Sequence, residues 1–461
     1  MIRFLLYLSF LSILSCSQKS KDTSSVYFGG EIVNPTSDFI VLYRNNDIVD
    51  SVALDEGNRF SFNLQGIEEG LYHFDHSPER QYLFIEEGDS IVVRLNTLEF
   101  DESLVFSGKG SEINNFLLEI FLAHEKEEPL IYRYYKLDPI AFNEKIDSLR
   151  LQKIKYLEEL ATDNELSEKV LAMGKASIDY NSFIHKEKYP FYHKKKTGEE
   201  TIHDLNGAFY DYRKDIDLNS KDLAYFRPYF DFMKYHFGNL AYMSCLKDCG
   251  THSKSISKHL HHNKHKLKLV DSLVKETDLR DILLRNIAMD YLLKEHSSSK
   301  ESKIFLDKFQ SLSSNHMHKE EIADLYDGIQ NLQPNSILPN LDITDIDSNS
   351  VYLKDVSKKK KTVFYFWTAS QKRHFRNVTR HVSRLKKKHP EYNFVGINLR
   401  TNHSLWVNLV KENNLDPKNQ FHGADFKEIQ TAMMIDGLNK CIIAKDTLIV
   451  DAFANLYTTS F

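Results

Sequence analysis

From residue 26 to about 108 the apolar positions come in short bursts that alternate with polar ones. They are Val26-Tyr27-Phe28, Phe39 to Tyr43, Ile48 to Leu54, Phe60-Ser61-Phe62, Gly70 to Phe74, Tyr82 to Ile85, Ile91 to Leu95 and Leu104 to Phe106. A period of two belongs to a half-buried strand. Turn formers such as Asn45-Asn46 and Glu56-Gly57-Asn58 separate the bursts. Seven or eight short strands at this spacing predict a β-sandwich-like domain or barrel over 26–110.

The period then changes to that of a helix. Ile113, Phe116, Leu117, Ile120 and Phe121 sit at helical spacing, as do Ile146, Leu149, Leu151, Ile154 and Leu157. Further helices are predicted over 226–240, 267–274, 282–293 and 304–312, so 111–330 reads as a central helical domain. From 334 to 461 strands and helices alternate. An apolar strand, Val363 to Trp367, leads through Thr368-Ala369-Ser370 into a helix with Phe375, Val378, Val382 and Leu385 on one side. Asn393 to Leu399 is a second strand, Ser404 to Lys411 a helix, and Cys441 to Ala444 with Leu448 to Val450 a hairpin. Such alternation builds a parallel-core α/β sheet. The fold class is therefore multidomain α+β.

The first residues carry an address. Arg3 precedes an apolar stretch, Phe4 to Ser15, that is too short to cross a bilayer. The polar stretch 16–25 follows as a tether. Among 461 residues the net charge is −5, with 41% apolar and 27% charged positions, which gives no sign of nucleic-acid binding. Beyond Cys16 there are three cysteines, Cys245, Cys249 and Cys441, too few for a disulfide scaffold. Cys245 and Cys249 stand four apart, at a spacing that permits a local disulfide. His261 and His265 have the spacing of a zinc pair, but lysines surround them and no glutamate follows His261, so a solvated basic helix start is the expectation. Glu86, Glu87 and Asp89 read as a charged turn. No metal and no cofactor is expected.

The stretch from Lys361 to Arg376 resembles the active-site segment of thioredoxin-fold proteins of the TlpA/redoxin type. Phe366-Trp367 and the turn Thr368-Ala369-Ser370 match that family's text, and Leu338-Pro339-Asn340-Leu341 resembles its entry segment. Where the family has Cys-x-x-Cys, this chain has Gln371 and His374. Where it has a cis-proline, Asn439 lies in the corresponding stretch, and no proline follows Pro417. Disulfide exchange needs an attacking thiolate and a resolving thiol. Glutamine and histidine supply neither, so no catalytic residue is expected at these degenerate positions. His374 is expected as a solvated side chain of the first helical turn, and Cys441 as an inert core thiol.

Residues 26–110 are similar to a small β domain that precedes redoxin domains in envelope lipoproteins, on the strength of Gly57 to Phe62, Phe84 to Ile91 and Phe106 to Asn114. Ile13-Leu14-Ser15-Cys16 resembles a lipoprotein signal, which makes 1–15 a signal peptide and Cys16 the lipidated residue. The resemblance implies an envelope protein anchored by its lipid, in the outer membrane and facing the periplasm, with an envelope protein as partner. Two functions follow from it. One is a redox-inactive binding or scaffold protein; the other is an oxidoreductase that uses Cys245, Cys249 or Cys441.

Overall fold

The structure, a computed structural model, describes residues 25–202, 205, 207–249 and 260–461, without the side chains of 101 and 247–249. Cys16 and the proposed signal peptide lie outside the described residues. The chain forms two compact units, Met1–Asn239 and Leu240–Phe461.

In the first unit eight strands make two four-stranded sheets. They are β1 (Ser25–Val33), β2 (Phe39–Arg44), β3 (Asp47–Ala53), β4 (Arg59–Gln65), β5 (Gly70–His76), β6 (Glu79–Ile85), β7 (Ser90–Asn96) and β8 (Val105–Lys109). The strand orders are β4-β1-β7-β8 and β3-β2-β5-β6. Alternation fixes which face is buried. In β4, Phe60, Phe62 and Leu64 point inward while Arg59, Ser61, Asn63 and Gln65 face water. Phe28, Phe62, Phe74, Leu83, Ile91 and Val93 meet in one apolar cluster. The turn before β4 is set by the Asp55 carboxylate, which accepts from the Gly57 and Arg59 N–H groups, each at 2.8 Å. Gly30 is needed where β1 passes β7, since a Cβ there would lie 2.0 Å from the Val93 carbonyl oxygen.

Helices α1 (Phe100–Ser103), α2 (Ser111–Tyr134), α3 (Pro139–Asn164), α4 (Glu168–Thr197) and α5 (Arg227–Cys249) follow. Asp138 caps α3 ahead of its leading Pro139, and Ser167 caps α4, which ends at Gly198 in the left-handed region. Helix α2 docks through two side-chain amides. Asn114 pairs with both backbone groups of Phe84, and Asn115 with both of Phe106. Each closes polar groups at a strand that would otherwise lack a neighbour.

The second unit takes in α5 from Leu240 onward, Cys245 included, and then α6 (Leu260–Leu273), α7 (Thr277–Glu295), α8 (Lys300–Leu312) and α9 (His316–Asn331). A seven-stranded sheet follows. Its elements are β9 (Asp342–Thr344), β10 (Ser350–Tyr352), α10 (Leu353–Ser357), β11 (Lys361–Trp367), α11 (Lys372–Lys388), β12 (Tyr392–Asn398), α12 (His403–Glu412), β13 (Gln420–His422), α13 (Phe426–Ala432), β14 (Lys440–Lys445) and β15 (Leu448–Asn455). The order is β10-β9-β13-β12-β11-β14-β15, parallel through β11, β12 and β13 and antiparallel at both flanks. Strand β11 is central and covered on both faces. Phe364 and Phe366 enter one apolar layer; Val363, Tyr365 and Trp367 enter the other. That double burial is why its sequence is a continuous apolar run and does not alternate. The molecule is thus a mixed α/β chain with three sheets among the described residues.

Candidate functional site

The turn between β11 and α11 is where the sequence resemblance puts the chemistry. Trp367 ends β11 fully buried and packs on Phe375, ring centroids 4.6 Å apart. Its indole N–H donates to Gln420 Oε1 at 3.2 Å, and the Gln420 amide donates to the Tyr365 hydroxyl at 2.9 Å. This buried chain of polar groups locks the strand end under the turn. Ala369 N–H donates to the Thr401 hydroxyl at 3.1 Å and fixes the loop from the neighbouring connection. Gln371 then takes the N-cap place of α11 at φ −97° and gives no side-chain cap. The first amides of that helix are left without a side-chain acceptor.

An open cleft of about 820 Å³ lies over this helix start. Ser370, Gln371 and His374 line it with Asn439, Tyr457 and the basic side chains Lys372, Arg373, Arg380 and Arg384. The structure therefore brings Gln371, His374 and Asn439 together, although no sulfur accompanies them. His374 departs from the expected solvated side chain. It is half-buried, and neither ring nitrogen completes a hydrogen bond. Burial holds its imidazole below the ordinary histidine pKa, opposed by the Leu438 backbone and the Asn439 side chain beside it. Leu438 and Asn439, in the segment that leads into β14, lie beside the ring and take part of it out of water. The peptide bonds through that segment are trans.

Cys441 is on β14, paired in register with Tyr365 of β11. Its thiol is fully buried and free, and burial pushes its pKa up to about 12. A thiol so placed carries almost no thiolate at neutral pH. Its neighbour Lys440 is buried too; its ammonium donates to the Met434 carbonyl at 2.7 Å and lies 4.3 Å from the Phe453 ring centre.

Helix α11 itself is strongly basic. Lys372, Arg373, Arg376, Arg380, Arg384, Lys386, Lys387 and Lys388 stand on it without one acidic residue. Among the described residues no ion pair involves Arg373, Arg376, Arg380 or Arg384. The pattern was visible in the sequence, but its concentration on a cleft was not. Phe375, Val378 and Val382 turn into the sheet, so the charges are forced to the other side.

Elsewhere, Cys245 is buried on α5 with its Sγ 3.4 Å from His265 Nδ1. The side chain of Cys249 lies outside the described residues, and so does its pairing with Cys245. Asp89 accepts from the Glu86 N–H at 2.8 Å, so this acidic group closes a turn. A buried cluster with no local sequence signal surrounds Glu187 on α4. Arg213, Tyr212, His236 and Asn239 all donate to its carboxylate.

No family model matches the chain, and no curated protein matches it. Solved structures do. A thioredoxin-like protein from Bacteroides caccae is 11% identical, over 56% of this chain and 93% of that one, at a TM-score of 0.32. The thioredoxin domain of a thiol-disulfide oxidoreductase from Bacteroides vulgatus is 21% identical, over 26% and 87%, at 0.22. An exposed lipoprotein thioredoxin from Streptococcus pneumoniae strain TIGR4 is 15% identical, over 26% and 93%, at 0.21. This chain is thus similar, over part of its length, to thioredoxin-like proteins.

Proposed function

We propose that this chain is a lipid-anchored, thioredoxin-like protein of the cell envelope that binds a partner at its former redox cleft and performs no disulfide exchange. The observation that carries the reading is the chemistry at that cleft. Gln371 and His374 occupy the two places for thiols, and Cys441 is buried with a pKa near 12. Nothing there can attack a disulfide at neutral pH. The cleft is still built. It offers four basic side chains and the start of a helix, which together favour an anionic segment of a partner. The proposed lipid at Cys16 would hold this surface near the membrane. Among the described residues no helix is long and apolar enough to cross one.

A second reading has one observation in its favour. The Cys245 thiol faces the His265 imidazole at 3.4 Å, a pairing that activates cysteines in other settings. In that reading the chain is an oxidoreductase working through Cys245, and its loss on Cys245→Ser is the mark. The test is insulin disulfide reduction by the full chain with dithiothreitol. The proposal expects the uncatalysed rate, unchanged in a Gln371→Ala/His374→Ala double variant. Turnover well above the uncatalysed rate would overturn it.

A further inference from the structure

We infer that Cys245, His261 and His265 form a binding site for a thiophilic divalent metal ion of the zinc class. The ligand atoms come from two helices. Cys245 lies near the C-terminal end of α5, and His261 and His265 lie one turn apart on α6. A spacing of four residues puts both imidazoles on one face of that helix, and the packing of α5 brings the sulfur against it. One donor atom from each of the three side chains lies within 4.8 Å of the other two. The Cys245 Sγ to His265 Nδ1 distance is 3.4 Å, and the two rings stand 6.2 Å apart between centres.

The Cys245–His265 separation is that of a coordination shell, and His261 has to close in by no more than a side-chain adjustment. With zinc about 2.3 Å from sulfur and about 2.0 Å from nitrogen, a tetrahedral angle puts the two ligand atoms about 3.5 Å apart. The present approach needs little adjustment to accept the ion. One thiolate and two neutral imidazoles suit a borderline-soft cation, whereas calcium and magnesium prefer oxygen. Burial is graded in a useful way: the sulfur is fully covered, His265 is half-buried and His261 is exposed. An ion could enter from the His261 side. Three protein donors leave one position of a tetrahedron for water or a further ligand.

Lysines on the same helix, among them Lys264 and Lys268, argue against a cation when α6 is read alone. The sulfur changes that balance because it comes from another helix and becomes an anion as it binds the metal. On binding, the Cys245 S–H bond breaks, the proton goes to solvent, and the sulfur pair forms the bond to the metal, with no change of oxidation state.

The experiment is cobalt(II) and zinc(II) titration of the full chain after chelator treatment and gel filtration. Cobalt should give a sulfur-to-metal charge-transfer band and the intense visible bands of a tetrahedral site, at one equivalent per chain. Zinc should displace it, and zinc added to the metal-free chain should release about one proton, the one lost by the thiol. Cys245→Ser should abolish the charge-transfer band. His261→Ala, at an exposed position, should weaken zinc by about a hundredfold or more. Loss of an outer-shell partner alone costs up to that much. Circular dichroism of each variant confirms that it is folded. A cobalt spectrum without a sulfur band, or zinc affinity unchanged in folded His261→Ala, would overturn the assignment.

Discussion

One charge cluster in each compact unit shows two opposite treatments of charge. In the first, Glu187 is fully buried and meets Arg213 and His236, with Tyr212 and Asn239 completing its shell. Burial alone would raise its pKa, but the His236 and Arg213 partners outweigh it and hold the carboxyl at about 2. In the second unit the cations of α11 gather around an open cleft, and among the described residues no ion pair involves Arg373, Arg380 or Arg384. A charge neutralised inside a fold has its partner already and serves the fold. A cluster left facing an open cleft has room for a partner from outside. That contrast is why the cleft, and not the Glu187 cluster, is proposed as the binding surface.

Removing Glu187 should give the largest effect. Glu187→Ala strands the Arg213 and His236 groups and should cost ~3–5 kcal/mol, read from the shift of the urea midpoint. Next comes the buried thiol. Cys441→Ser leaves a hydroxyl without a partner in an apolar layer and should cost ~1–3 kcal/mol. Acid sharpens the contrast further. Burial depresses the pKa values of His124 and His185 to about 3 from 6.5, so their neutral forms favour the fold. Their contribution is complete above the unfolded value and is lost as pH falls from 6.5 towards 3. Glu187 adds a loss as pH falls from 4.5 through about 2. Thermal unfolding against pH should therefore show declining stability from just below neutrality. The smallest effect on stability belongs to the cleft. Arg380→Ala and Arg384→Ala should change it by no more than ~0.5 kcal/mol. Destabilisation of several kcal/mol by either would show that α11 is structural in the way Glu187 is.

The sequence makes the local parts visible and hides the meetings. Alternation in Arg59–Gln65 and the double-sided run Lys361–Trp367 announce an amphipathic strand and a central one. The basic face of α11 follows from the same helical period that buries Phe375, Val378 and Val382. Glu187 meets Arg213 and His236, which lie 26 and 49 residues away, and no period of strand or helix encodes that. Cys245 and His265 are 20 residues apart and meet only because α5 and α6 pack together. His374 looks like a solvated helix start until the segment before β14 closes over it. Read alone, α6 presents three histidines among lysines; the sulfur beside His265 belongs to another helix.

The most direct measurement is trapping with a cysteine-bearing peptide disulfide. The full chain is reduced, the reductant is removed, the peptide is added at neutral pH, and mass spectrometry follows tryptic digestion. A cleft without reactive sulfur predicts no peptide on Cys441 in the native chain and ready modification of the same residue in urea. A mixed disulfide at Cys441 under native conditions would contradict the account.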